Sequence, residues 1–550
     1  MSYNYLTYLQ RALLTTLLPL AACSSSATVG GSATDGMGSD SDSDGTTGGD
    51  EGSTSTSSSS DSGETSGDPG TTSTGTSSTG GETSDSAGDT ADDTVPGYGD
   101  GEGSCDPEVD TLLGLTLPDS NAMVSPVQAR MAVLDGWGVF GDLFIRPWEF
   151  LAYYPFSYTP APAGTLALEV ELYAPKDQPE GSYELQVGIA GPWMNAALRP
   201  PLDLTLVVDI SGSMKGVPLT ILKDACSSLI GNLRAGDQLS LVTWSSEEPV
   251  LLAHHQVAGP QDPTLIGLID GLEATGGSDL YAGLSAGYAL AAEGYDPTRT
   301  SRVILMSDGG AAADAKTLDL IAEHAADTDE QEGIYLLGVG VGTYGGYQPA
   351  LMDSVAGVGN GSTLFVGSTT EAQALLGERF LGLMLVAARD LEVEVLLPPG
   401  FRRRLPKEFT YNDVVDPLPL QGQPLRQNEA LVYFERLSSC APEQLSESSP
   451  LKVTLQYRDA KTFQTKEIVV ETTFGELLAK GVSQLHKGAA IVRYSETLRL
   501  WNEAPGAPET YINTAESALG RVMLAKAKLP EDPSLVEIQS VLETLLESLK

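Results

Sequence analysis

The stretch Leu204 to Val208 is apolar except for Thr205 and ends in Asp209; Ser211 and Ser213 follow at alternate positions. Three short oxygen-bearing side chains at i, i+2 and i+4 are of little use to a core. They suit a small hard cation, which takes carboxylate, hydroxyl and water oxygens. Two later stretches carry matching oxygens: Ser278 in "TGGSDLYAGL" and Asp308 in "VILMSDGG". Five oxygens from three loops, with room for water, fit Mg²⁺ or Mn²⁺. A simple helix cap needs one such residue. It does not need three at alternate positions and two more on distant loops.

These oxygens require a frame that brings distant loops together. From Leu202 to about Phe380, strand and helix patterns alternate. Strands are expected at Leu204–Asp209, Gln238–Trp244, Arg302–Ser307, Gly333–Val341 and Ser362–Val366. Helices are expected at Leu219–Leu233, Leu280–Ala292 and Ala313–Ala326. The alternation predicts an α/β fold with a doubly wound parallel sheet, whose ligands bind at the carboxyl ends of the strands. Asp209 and Asp308 each close a strand, and Ser278 sits just before a helix, so all five residues fall on that rim.

"DISGSM", "GGSDLYAGL" and "MSDGG", at these spacings, resemble the metal-ion-dependent adhesion site of von Willebrand factor A (VWA) domains. The resemblance implies that Asp209, Ser211 and Ser213 hold the metal, that Asp308 acts through a water, and that Ser278 stands where threonine is usual. It also implies a protein ligand whose acidic side chain completes the metal's coordination. The stretches "IRPWEFLAYYPFSYTPAPAG" and "RPPLDLTLVVDISGSM", with the β-then-helical tail, resemble a three-part group of bacterial VWA lipoproteins.

The rest of the chain divides by composition. Residues 1–23 look like a lipoprotein signal peptide. Arg11 precedes the apolar run Ala12 to Leu20, too short to span a bilayer, and "LAAC" resembles a lipobox with Cys23 as the lipidated residue. Ser24 after that cysteine favours the outer membrane of a bacterial envelope. Residues 24–104 carry 16 acidic side chains and no Lys or Arg. Such a sequence cannot bury enough apolar surface to order itself, so a disordered tether is expected, with a mean span of about 50 Å. Globular composition begins at Cys105: an N-terminal flank at 105–200, the VWA unit at 201–386, a β-rich region at 387–474 and C-terminal helices at 475–550. The net charge of −43, from 31 basic and 74 acidic residues, excludes nucleic acid as a partner.

Several other features are weighed and set aside. Asp40, Asp42, Asp44, Gly45 and Glu51 satisfy the EF-hand pattern, but no helices flank them. "GLSAG" around Ser285 matches a nucleophile elbow, but it lies inside a helical pattern. His254 and His255 read as a solvated loop pair, and "FRRRLPK", Phe401 to Lys407, as a solvated basic loop. Trp148, Phe150, Tyr153, Tyr154 and Phe156 read as core packed against the VWA unit. Cys226 lies on the apolar face of a helix, which leaves Cys105 and Cys440 to form a disulfide in an oxidising envelope. The expected function is non-catalytic: an envelope lipoprotein binding a protein ligand through a metal. The alternatives are a scaffold that docks an envelope enzyme or secretion component, and a serine hydrolase using Ser285.

Overall fold

The computed structural model describes residues 105–549 except 116–121, 137–142, 144, 245–248, 329–330, 405–422 and 504–507. Cys23, the acidic run 24–104 and the Asp40 to Glu51 pattern lie outside the described residues. The first flank supplies β1 (Asp110–Leu115), α1 (Ser125–Leu134), α2 (Pro147–Tyr153), β2 (Ala167–Tyr173) and β3 (Ser182–Ala190). The central unit runs β4 (Leu202–Asp209), α3 (Val217–Ile230), β5 (Gln238–Trp244), β6 (Val250–Gln256), α4 (Pro263–Asp270), α5 (Leu280–Glu293) and β7 (Thr300–Ser307). It continues with α6 (Ala315–Ala325), β8 (Tyr335–Val341), α7 (Ala350–Ala356) and β9 (Thr363–Val366). Strands β10 (Val386–Pro399), β11 (Phe401–Arg403), β12 (Gln423–Arg426), β13 (Ala430–Ser439), β14 (Pro450–Asp459) and β15 (Thr465–Thr473) follow. Helices α8 (Phe474–Ala479), α9 (Ser483–Glu503), α10 (Pro508–Lys526) and α11 (Pro533–Leu549) end the described chain.

The central sheet has the order β6-β5-β4-β7-β8-β9. All neighbouring pairs are parallel except β5–β6. β4 shows why the sheet is covered on both faces. Each of its eight residues is buried, as expected of a parallel strand between two helical layers. Leu204, Leu206 and Val208 enter the core shared with Ile221, Leu222, Ala225, Cys226 and Leu229 of α3. Val207 enters the opposite core, with Leu284 and Tyr288 of α5. Cys226 is a free buried thiol that burial pushes up to about 12. It packs as a small hydrophobe.

β6 departs from the purely parallel expectation. It returns antiparallel along β5 at the sheet edge, with Val250 and Leu251 exposed, so one side of it escapes the two-sided burial that marks the other strands. His254 and His255 therefore lie on a strand, not in a loop. His255 Nε2 sits 2.9 Å from Asp262 Oδ2.

Residues 105–200 and 387–474, far apart in sequence, share two antiparallel sheets. One has the order β1-β10-β14-β15, with β12 on β10; the other is β11-β13-β3-β2. Their inner faces meet in one core that includes Leu113, Val187, Val393, Val395, Tyr433 and Val453. The alternation of β10 directs this: Leu391, Val393, Val395 and Leu397 are buried while Glu392, Glu394 and Leu396 are exposed. A disulfide joins Cys105 to Cys440, with Cα atoms 6.2 Å apart.

Two further expectations need correction. Phe401–Arg403 is a strand paired with β13, not a solvated loop; Phe401 is buried, and Arg403 meets Glu435 at 3.1 Å. Residues 405–407 lie outside the described residues. In the aromatic cluster, Phe150, Tyr154 and Phe156 pack chiefly against the C-terminal helices, with Tyr494, Leu498 and Leu542. Phe150 meets Tyr494 edge to face at 5.5 Å. Tyr153 alone of the five also reaches both cores of the central unit.

Candidate metal centre

β4 carries Asp209 to the rim and stops there because the next residues form a tight turn. Ser211 N–H donates to Asp209 Oδ1 at 2.8 Å, and Gly212–Met214 makes a single 3-10 turn. This turn brings the two hydroxyls together, with Ser211 Oγ 3.0 Å from Ser213 Oγ. The second oxygen of Asp209 accepts from Ser307 Oγ at 2.6 Å. Ser307 ends β7, and its Oγ also accepts from Gly309 N–H at 2.9 Å. One hydroxyl thus fixes the first carboxylate and the turn that carries Asp308. The sequence reading missed Ser307, although its place directly before Asp308 at a strand end was a usable signal.

Asp308 Oδ1 accepts from Gly310 N–H at 3.0 Å. A Cβ at Gly310 would stand 3.2 Å from Asp308 Oδ1 and 3.3 Å from Ser213 Oγ, so Gly310 borders both the first and third loops. Gly309 adopts φ +84°, and a Cβ there would lie 2.0 Å from the Gln348 carbonyl. Only glycine permits that approach. The second loop meets the first where Thr275 N–H donates to the Ile210 carbonyl at 3.0 Å and where Gly276 lies against Gly212.

Asp209, Ser211, Ser213 and Asp308 are therefore brought together. Ser278 is exposed on the adjoining second loop and makes no direct side-chain bond to them among the described residues. Asp279 and Asp314 cap α5 and α6 through Ala282 N–H at 2.9 Å and Thr317 N–H at 2.8 Å, so their carboxylates are engaged in helix capping.

Asp209 and Asp308 are nearly inaccessible, at 1% and 5% exposure. No ion pair among the described residues involves either. Burial raises the Asp209 carboxyl above its ordinary range, against the hydrogen bonds from Ser307 and Ser211. Two buried carboxylates with no basic side chain paired to them, beside paired hydroxyls, are a donor set that suits a divalent ion. Among the described residues, no three His, Cys, Asp or Glu side chains gather as metal ligands. The rim centre differs because most of its donors are hydroxyls.

Ser285 lies in the middle of α5, away from any strand-to-helix turn. The glycines around it serve packing. A Cβ at Gly283 would lie 2.6 Å from Trp244 Cβ, and one at Gly287 would lie 2.6 Å from Val207 Cγ2.

Comparison with known proteins agrees with this architecture. Residues 204–311 match the von Willebrand factor type A domain family, a span that holds all five rim residues. The Escherichia coli K12 protein YfbK, described as uncharacterized, is 25% identical over 361 residues, covering 60% of each chain. The uncharacterized Synechocystis protein sll0103 is 33% identical over 131 residues, covering 24% of this chain and 30% of that protein. This chain thus spans less than two thirds of either relative. The solved von Willebrand factor type A structure from Catenulispora acidiphila aligns with 68% of this chain and 89% of its own, at 15% identity and a TM-score of 0.41. Domains of this family commonly bind a divalent metal and mediate protein–protein contacts. Residues 204–311 of this chain are thus a von Willebrand factor type A domain.

Proposed function

We propose that this protein is a non-catalytic, lipid-anchored component of a bacterial cell envelope that binds a protein ligand through a divalent cation at the rim of the central sheet. The observation that carries this reading is the grouping of the buried Asp209 and Asp308 carboxylates, neither ion-paired to a basic side chain among the described residues, with the Ser211 and Ser213 hydroxyls at the ends of β4 and β7. Asp209, Ser211 and Ser213 would hold Mg²⁺ or Mn²⁺ from the first loop, Ser278 from the second and Asp308 from the third. The bound ion would supply an electrophilic open position for a ligand carboxylate. The chain's own part is to limit the negative charge around that ion. It offers two carboxylates and three neutral hydroxyls, and Ser307 and the Ser211 amide hold Asp209 in one orientation.

The leader and lipobox support the location, with Cys23 as the lipid attachment point and the acidic run 24–104 as a tether. The outer membrane is favoured by Ser24. The buried packing of α5 around Ser285 gives a nucleophilic serine no exposed turn, which favours a binding role over a hydrolytic one.

Calorimetric titration with Mn²⁺ is the test. Wild-type protein should bind one ion, and Asp209→Ala should lose that binding while keeping its fold, read as an unchanged circular-dichroism spectrum and a cooperative melt. Equal affinity in the two proteins would overturn the site. Cys23→Ser should move the protein from the membrane to the soluble envelope fraction, whereas sedimentation with membranes after a high-salt wash would refute the anchor.

A further inference from the structure

The rim carries two lysines that the metal centre does not use. Lys215 directly follows the metal-loop turn Gly212–Met214. It is exposed and makes no ion pair among the described residues. It lies two residues from Ser213, at most about 7 Å along an extended backbone. Lys316 lies in the first turn of α6, directly after the loop that begins at Asp308. A cation at a helix N-terminus opposes the helix dipole, so helix stability does not explain it. Its ammonium stands 3.4 Å from the centroid of the Tyr281 ring. Tyr281 is in the first turn of α5, three residues after Ser278.

The Lys316–Tyr281 contact thus bridges the second and third rim loops. The ring holds the lysine by one side of its ammonium. The exposed side chain leaves the remaining N–H donors to solvent. Of the acidic residues around these lysines, Asp314 lies two residues before Lys316 and is attracted to it, and Asp319 lies three residues after it on α6. Asp279 and Asp314 are helix caps, and Asp209 and Asp308 belong to the metal centre.

We infer that Lys215 and Lys316 are second anchors for an acidic ligand, which makes the preferred partner a peptide segment with several carboxylates rather than one isolated acidic residue. This rests on the metal-dependent reading above. One carboxylate of the segment would complete the metal's coordination. Neighbouring carboxylates would meet Lys215 on the first-loop side and Lys316 between the second and third. Tyr281 keeps Lys316 in place before the ligand arrives, which lowers the ordering cost of that contact.

Full-length protein loaded with Mn²⁺ tests this. The probes are a capped Gly/Ser peptide carrying one Asp and the same peptide carrying three consecutive Asp residues. The wild type should favour the triacidic peptide by about two- to twenty-fold, the range two partly exposed ion pairs supply. That preference should vanish near 0.5 M NaCl, where charges are screened within roughly 4 Å. The double variant Lys215→Ala/Lys316→Ala should bind Mn²⁺ and the single-Asp peptide as the wild type does, and lose the preference. A preference unchanged in the double variant overturns the inference and leaves the metal reading intact. Equal loss of Mn²⁺ and both peptides also overturns it, because the lysines would then only hold the loops together. A wild-type chain that takes up no Mn²⁺ overturns the metal reading and the inference with it.

Discussion

Asp203→Asn should stabilise this protein at neutral pH and leave it nearly unchanged in acid. Asp203 lies near the start of β4, at the end of the sheet opposite the metal rim, and is 2% exposed. Its Oδ2 is buried without a hydrogen-bond partner. A Cβ at Gly294 would lie 2.7 Å from that oxygen and 3.0 Å from His254 Nδ1, so carboxylate and imidazole both crowd the bare glycine. The other groups facing this place are Arg299, Asp296 and, 3.7 Å beyond His254 Nε2, Glu293. Burial pushes the Asp203 carboxyl up to about 6 from 3.8, with His254 and Arg299 opposing.

The sign follows from proton linkage. The folded state holds this proton more tightly than the unfolded chain does. The resulting stability is complete below pH 3.8 and is lost as pH rises through about 6. Above that pH the buried charge costs about 3 kcal/mol. An asparagine removes the charge but leaves an amide short of partners, which costs about 1 kcal/mol. The expected net gain is about 1–2 kcal/mol at pH 7.5, or a melting-temperature rise of about 2–6 °C for a unit of this size, falling to zero or slightly below at pH 4. Scanning calorimetry of both proteins at the two pH values measures it. A variant less stable than wild type at pH 7.5, or a difference that does not change with pH, would refute the reasoning. Asp203 would then be an ionised partner of a charged His254.

Two further outcomes follow from the same cores. Arg199→Met should destabilise the central unit by about 3–5 kcal/mol, because Arg199 and Asp237 form a fully buried pair and the variant strands the carboxylate. Burial alone would raise Asp237, but bonds from Arg199 and the Leu202 and Arg234 amides hold it below its ordinary value. Urea unfolding should accordingly show the wild-type margin over the variant shrinking as pH falls, starting above 3.8 where the stranded, burial-raised carboxylate of the variant takes up its proton. Gly287→Ala should cost about 1–3 kcal/mol by overpacking, since the added methyl would stand 2.6 Å from Val207 Cγ2; thermal unfolding at the wild-type temperature would remove the packing account of the glycines around Ser285.

Local pattern was most legible where burial is two-sided or strictly alternating. The strand Gln238–Trp244 has the boundaries its composition predicts, and β4 differs from its expected start by two residues. Both are nearly continuous buried runs, and a tight turn follows β4. β10 was readable for the opposite reason, its strict alternation of apolar and charged residues. What failed was non-local. β1 pairs with β10 across nearly the whole central unit, Leu112 opposite Leu396, and nothing local to either strand names the other. Arg402 and Arg403 looked like a solvated loop because their neighbours on β13, Ser438 and Glu435, come from a different stretch of sequence. The aromatic cluster was recognisable as core, but its partner was not. Tyr494, which meets Phe150 edge to face, sits in a helix more than three hundred residues later. At the rim, the metal-type oxygens were visible as a pattern of residue types. Ser307 had only its place before Asp308 to mark it, because its bond to Asp209 spans two strands.

The flanks also help set the geometry of the rim. Gln348 N–H donates to the Asp308 carbonyl at 3.0 Å, and the Gln348 carbonyl closes over Gly309. Gln348 belongs to the segment between β8 and α7. Tyr344 of the same segment packs against the core that Phe150 shares with the C-terminal helices. A few residues on, Asp353 in α7 pairs with Arg146 of the first flank at 2.6 Å, and Arg146 also meets Glu149 at 2.9 Å. The segment beside the Asp308 loop is therefore braced by the first flank and by the core which that flank shares with the C-terminal helices. Asp308 itself is bonded within the central unit, by Gly310 and Gln348, but the segment that closes over it is braced from outside, so loosening the C-terminal helices should weaken the proposed metal centre before it unfolds the sheet. That coupling gives the flanks a physical reason to be on the same chain as the VWA unit: they stiffen one side of the rim, while the side carrying Ser213 and Ser278 stays exposed to a ligand.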